Sequence, residues 1–165
     1  VYGIGAFSLA KDIGVSRQEA ARYIKDYLSH YAGVAKYMEQ MIALAKEKGY
    51  CETLFGRRRY LPELAASNAN LRNFGERVAR NMPIQGTAAD IIKIAMIRVY
   101  QRLRREGMQA KLILQVHDEL IVEAPKGEIQ KAAQIVHEEM EAACKMKVEL
   151  SADVHTGKNW YDAKG

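Results

Sequence analysis

Two carboxylates stand side by side between two apolar runs, and this arrangement constrains the fold more than any other stretch. Leu112 to Val116 is apolar apart from Gln115, Leu120 to Val122 is apolar throughout, and His117, Asp118 and Glu119 lie between them. Short runs rich in Ile, Leu and Val read as buried strands. A two-residue polar step between them predicts a tight hairpin with His117 and Asp118 at its tip. A carboxylate raised on a rigid hairpin costs desolvation unless something positive meets it. A divalent metal is the natural candidate, because hard cations such as Mg2+ take oxygen ligands. The same three residues also suit an ordinary solvated turn, and the stretch alone leaves both readings open.

The 165 residues suffice for one domain, and 48% of them are hydrophobic, so a sizeable core can be buried. No apolar run approaches the length of a membrane span, and no signal peptide is read. The chain opens on Val1-Tyr2-Gly3 with no start methionine, so a piece of a longer protein is expected. Cys51 and Cys144 form neither a disulfide framework nor a zinc spacing, which fits a reducing cytosol. A net charge of +5 is compatible with a nucleic-acid partner without identifying one.

Residues 1–10 read as the end of a helix followed by a Gly-rich turn, where Gly3 and Gly5 let the backbone pass close to a ligand or simply form a loop. Ser16 and Glu19 form a capping box ahead of a helix bearing Tyr23, Tyr27 and Tyr31 on one face, a stripe that reads as packing. Gly33 breaks the pattern. A second helix runs from Val34 to Lys48 and closes at Gly49. Residues 50–62 predict a hairpin with a Gly56-Arg57 turn. Its Arg57, Arg58 and Arg59, with Phe55 and Tyr60 nearby, suit a phosphate backbone, because each guanidinium offers paired donors; a solvated charge run is the alternative.

Residues 65–73 are small and polar, and read as a connector and the best internal boundary. A long helix follows from Phe74 to Arg105, with Pro83 expected to kink or restart it. Arg77, Asn81 and Gln85 are four apart and form one polar stripe. Such a stripe serves either to grip bases and sugars or as a solvent face. The basic end at Arg98, Arg102, Arg104 and Arg105 reads as solvated and favourable to the helix dipole. Residues 128–144 form another amphipathic helix, 148–154 read as a strand able to pair with the hairpin, and Trp160 and Tyr161 pack the tail.

Four stretches in this order resemble one known family. Val116-His117-Asp118-Glu119 looks like the third polymerase motif of family A DNA polymerases of the bacterial polymerase I type. Arg77-x-x-x-Asn81-x-x-x-Gln85-Gly86-Thr87-Ala88-Ala89-Asp90 resembles the long palm helix before it. Thr53-Leu54-Phe55-Gly56-Arg57-Arg58-Arg59-Tyr60 resembles another shared stretch, and Tyr2-Gly3 looks like the end of the second motif, on the fingers helix. The resemblance covers essentially the whole chain.

The resemblance implies an α+β fold: an antiparallel palm sheet with long packed helices, plus the helical end of a fingers subdomain. Residues 1–70 would be the fingers-like segment with the basic hairpin, and 71–165 the palm-like segment. The implied function is template-directed transfer of nucleotides from dNTPs to a primer 3′-hydroxyl by a two-metal mechanism. Asp118 looks like one of two aspartates that hold the catalytic Mg2+ ions, and Glu119 like an assisting carboxylate. His117 is similar to a contact with the primer terminus. Arg77, Asn81 and Gln85 resemble residues that hold primer, template and the minor groove. Arg57, Arg58 and Arg59 would approach the DNA, and Tyr2 and Gly3 would lie beside the nascent base pair. Implied partners are primer-template DNA, dNTPs and the upstream part of the polymerase. No membrane is involved, and the implied setting is the cytoplasm at the bacterial nucleoid.

The family's first motif, with the other metal-holding aspartate, would lie upstream of Val1, as would the lysine and arginine that grip the triphosphate. Asp90, Asp153 and Asp162 stand in unrelated contexts. About half of an active site is therefore expected here, and no polymerisation by this chain alone. Two rivals are a phage-type RNA polymerase palm, which tends to carry Ser where Glu119 stands, and a non-catalytic DNA-binding fragment.

Overall fold

The computed structural model describes residues 3–164. It divides into two compact units, the first ending at Thr87 and the second beginning at Ala88. Ten helices and strands follow one another among the described residues: α1 (Ala6–Ile13), α2 (Arg17–His30), α3 (Ala32–Lys48), β1 (Tyr50–Glu52), β2 (Arg58–Tyr60), α4 (Ala69–Arg105), β3 (Lys111–Val116), β4 (Glu119–Glu123), α5 (Ile129–Glu141) and α6 (Trp160–Ala163). Both sheets are antiparallel and two-stranded, β1 with β2 and β3 with β4, so the fold is α+β as expected.

In the first unit, α2 starts on a complete capping box. Ser16 Oγ accepts from the Glu19 amide (3.2 Å) and Glu19 Oε2 accepts from the Ser16 amide (3.3 Å). The break before α3 falls at Tyr31, not Gly33. The Tyr31 amide closes α2 on Tyr27 O (3.0 Å), while Tyr31 O accepts from Val34 and Ala35 and so opens α3. Gly33 is tolerated inside the new first turn. Gly49 ends α3 in the left-handed region, with φ 75°, where a Cβ would be strained. A small core of Ala45, Cys51, Leu61 and Ala79 joins α3, the hairpin and the first half of α4. Lys46 Nζ reaches Glu76 Oε1 at 2.6 Å beside it.

Three expectations about this unit are corrected. Residues 6–13 form a helix, because a run of good helix formers lies between Gly5 and the left-handed Gly14, which cap it at either end. Helix α4 begins at Ala69, ahead of Phe74: Asn68 Oδ1 accepts from the amides of Asn70 (2.8 Å) and Leu71 (3.3 Å), so an asparagine that read as connector acts as a cap. Pro83 neither stops nor restarts α4, which is assigned as one helix through Arg105.

The second unit is built on Val99 and Leu103 of α4, Ala110, and Ala132, Ile135 and Val136 of α5, with Leu120 and Val122 of β4 packed against them. The basic end of α4 is not simply solvated. Arg102 pairs with Glu106 (3.0 Å), Glu138 (2.5 Å) and Glu139 (3.1 Å), and Lys131 pairs with Glu106 (2.6 Å), so α4 is clamped to α5. Arg98 donates to Ala142 O. Helix α5 ends at Glu141, earlier than 144. No strand forms over residues 148–154. Side chains of α5 take up that backbone instead: Glu141 Oε1 accepts from the Ala152 amide (3.2 Å) and His137 Nδ1 meets Ala152 O (2.8 Å). Tyr161 does not pack the tail, being 88% exposed.

Candidate active site and nucleic-acid interface

The carboxylate hairpin has the expected bounds. Val116 pairs with Glu119, Gln115 with Leu120 and Leu114 with Ile121, which leaves His117 and Asp118 as the two-residue tip. A register shift between Leu112 and Leu114 makes Ile113 an extra residue in β3. His117 has φ 54° and is the only non-glycine at positive φ among the described residues. A two-residue hairpin turn needs positive φ at its first position, and His is among the few side chains that tolerate it. Gln115 Nε2 donates to His117 O (2.5 Å) and pins the tip from below. At the other end, the Glu128 carboxylate accepts from the amides of Gln109 (3.1 Å) and Ala110 (2.9 Å) and ties down the start of β3.

Asp118 is exposed and Glu119 half-buried. Both line one groove within the second unit, with Ile91 and Ile92 of α4 and Ile121 of β4 among its apolar walls. Among the described residues, no three His, Cys, Asp or Glu side chains converge into a metal cage. Asp118 and Glu119 supply two adjacent sets of hard oxygen donors. That chemistry suits Mg2+, which is commonly held by one or two carboxylates with water and phosphate oxygens completing its shell.

The basic hairpin and the polar stripe lie in the first unit. Arg77, Asn81 and Gln85 follow one another at four-residue steps on α4; Arg77 and Gln85 are exposed and Asn81 half-buried. Arg77 lies 5.9 Å from the Phe74 ring centre. The three arginines have separate environments. Arg57 Nη2 donates to Gly86 O (2.9 Å). Arg58 pairs with Glu52 (3.3 Å) and sits 4.6 Å from the Tyr50 ring centre; its bond to Glu52, then the nearby Tyr50, raises its pKa further and keeps it charged. Arg59 is exposed and forms no ion pair among the described residues. Gly3 has φ 81°, and a Cβ there would lie 2.9 Å from Arg80 Nη1 and 3.9 Å from Arg77 Cγ. Tyr2 lies outside the described residues.

Sequence reasoning gave no role to the residues that dock the basic hairpin on α4. Thr53 is only 4% exposed, the Leu54 amide donates to Thr87 Oγ1 (2.9 Å), and a Cβ on Gly86 would lie 2.7 Å from Thr53 Cγ2. The signal available was Gly86 itself, since a glycine inside a helix costs stability unless something approaches closely. Cys51 offers no nucleophile: burial pushes its thiol pKa up, against a smaller lowering by Arg59.

A sequence profile for DNA polymerase family A matches residues 1–162. The chain belongs to this family. It is 52% identical over 164 residues to a DNA polymerase I of Bacillus caldotenax and 51% identical over 164 residues to one of Bacillus subtilis strain 168. In each case the match covers 99% of this chain and 19% of the relative. Among solved structures it is similar to the POL domain of Pol1 from M. smegmatis, in complex with DNA primer-template and dNTP. That likeness has a TM-score of 0.95 and 42% identity, and covers 99% of this chain and 29% of the other. This family A polymerase chain thus spans about a fifth of the length of the curated relatives it matches. No helix among the described residues is long and apolar enough to cross a membrane.

Proposed function

We propose that the chain is part of a DNA-directed DNA polymerase that adds nucleotides from dNTPs to a primer 3′-hydroxyl under the direction of a template. The observation that carries this reading is the carboxylate pair of Asp118, on the two-residue hairpin tip, and Glu119, the first residue of β4, in a chain matched almost end to end by bacterial DNA polymerase I. Residues 1–70 are assigned to the end of the fingers and 71–165 to the palm. Asp118 and Glu119 would hold Mg2+ together with carboxylates from the rest of the enzyme. Bound there, a metal pair supplies Lewis-acid activation of the attacking hydroxyl and neutralises charge on the leaving pyrophosphate. The chain's own residues bind and orient, which is most of what phosphoryl transfer asks of a protein. His117 contacts the primer terminus from the tip. Arg77, Asn81 and Gln85 hold primer and template, and the Arg57–Arg59 run borders the DNA. Tyr2 and Gly3 flank the nascent pair. The bacterial relatives support a cytoplasmic setting at the nucleoid.

The test is primer extension and DNA binding, at fixed salt, by the full polymerase with and without Asp118→Ala. Loss of extension with binding retained supports the reading. Continued extension would make the hairpin scaffold only and favour a non-catalytic DNA-binding part. The 165-residue chain by itself is expected to be silent in extension, because among the described residues no third carboxylate joins Asp118 and Glu119 in a metal cage.

A further inference from the structure

The polar stripe crosses helix α4 where residue types poorly suited to a helix interior stand. Pro83 lies between Asn81 and Gln85, lacks the amide that would serve the Ala79 carbonyl, and crowds that carbonyl with its ring. Gly86 follows three residues later and adds backbone freedom. The turn of the basic hairpin sits against this segment. Leu54 donates to Thr87 Oγ1 (2.9 Å), Thr87 Oγ1 donates to Pro83 O (2.5 Å), and Arg57 Nη2 donates to Gly86 O (2.9 Å). The turn is itself closed, with the Thr53 amide on Arg57 O (2.9 Å) and the Arg57 amide on Thr53 Oγ1 (3.2 Å). Thr53 is 4% exposed and packs where the absent Gly86 Cβ would be.

We propose that Arg57 is a positioning residue: with Thr53 and Thr87 it braces the turn of α4 that runs from Pro83 to Thr87 and so keeps Gln85 aligned with Arg77 and Asn81 on one face, instead of gripping a phosphate. The inference rests on the polymerase reading for the stripe's task, while the brace stands on geometry alone. Arg57 spends a guanidinium donor on a helix carbonyl, whereas Arg59 remains an exposed cation. The contact also explains why a glycine occupies the middle of this helix.

The experiment compares Arg57→Ala, Arg59→Ala and Thr87→Val in the full polymerase. Thr87→Val is close to isosteric, leaves every charge in place and removes the acceptor for Leu54. A lost phosphate contact lowers the slope of log Kd against log salt by about 0.7–0.9. The expected result is an unchanged slope for Arg57→Ala and Thr87→Val, a reduced slope for Arg59→Ala, and a fall in kcat of about tenfold or more for the first two, as small misplacements at a site produce. Adding Gln85→Ala to Arg57→Ala is expected to cost little more than either change alone. A slope reduced by Arg57→Ala, an inert Thr87→Val, or multiplicative losses with Gln85→Ala would each overturn the proposal. Hydrogen exchange at the Leu54 amide reads the brace independently of activity, and both variants are expected to speed it. Unchanged exchange refutes the brace. A wild-type enzyme that extends no primer refutes the polymerase reading and leaves the exchange result to decide the brace.

Discussion

Gly86→Ala should destabilise the contact between the basic hairpin and α4, against what helix propensity alone predicts. An alanine in a helix interior is better than glycine by about 1 kcal/mol. Here the added methyl would lie 2.7 Å from Thr53 Cγ2, while Arg57 Nη2 and Met82 Cε, each at 3.5 Å, are ordinary contacts. Thr53 is 4% exposed, and its β-branched side chain has little rotamer freedom. Two responses are open. The core can absorb the methyl as overpacking, at about 1–3 kcal/mol. Alternatively the turn can lift off, losing the Leu54–Thr87 and Arg57–Gly86 bonds at about 0.5–1.5 kcal/mol each. The cheaper response sets the cost, and the propensity gain offsets part of it. The net local loss is at most about 2 kcal/mol, so the Leu54 amide should exchange faster under native conditions, by up to about 30-fold. Thr53→Ser removes only the clashing methyl and keeps the hydroxyl that accepts from Arg57. In that background Gly86→Ala should slow exchange. If Gly86→Ala raises protection in the otherwise wild-type protein, the close approach is not what selects glycine.

Glu128→Ala should leave the Gln109 and Ala110 amides without their shared acceptor. An unmet donor beside buried Ala110 costs about 1–3 kcal/mol, read as a lower urea midpoint with an unchanged m-value. The α4–α5 clamp should also be acid-sensitive. Glu106 is held below its ordinary 4.5 by bonds to Lys131 and then Arg102, and Glu138 by bonds to Gln134 and then Arg102. A depressed folded-state carboxyl contributes fully above its unfolded value and loses that contribution as pH falls through the folded one. Stability should therefore be flat for these groups from neutral pH down to about 4.5 and decline below it. Arg102→Gln should flatten that decline in a thermal melt series, and an unaltered acid profile would show that the clamp does not contribute.

The features legible in the sequence are those whose cause lies within a few residues. Ser16 and Glu19 are three apart and satisfy each other's backbone, so the start of α2 follows from two letters. The hairpin tip at His117 and Asp118 follows from a two-residue gap between apolar runs. Gly49 ends α3 for reasons of its own φ alone. The misreadings had partners farther away or signals of mixed sense. Arg102 looked like a solvated helix end because Glu138 and Glu139, which surround it, belong to α5. Residues 148–154 carried a strand-like alternation, yet their backbone is held by His137 and Glu141 and needs no ladder. Asn68 sat in a polar run that reads as loop, and only its spacing to the next two amides makes it a cap.

The middle of α4 shows how such conflicts point to function. Pro83 and Gly86 are the two residue types least suited to a helix interior, and they lie within one turn of each other beside Gln85. A sequence under selection for helix stability alone would carry neither. The structure supplies a reason for the glycine, in the approach of Thr53, and places bonds from Thr87 and the hairpin turn on the Pro83 and Gly86 carbonyls. Local rules are broken where a distant element has to dock, and the docked element carries the chain's densest run of positive charge, Arg57 to Arg59. The same logic applies at His117, whose left-handed backbone is tolerated because the hairpin and Gln115 hold it. In both units a locally unfavoured choice of residue therefore adjoins residues proposed to meet DNA or metal.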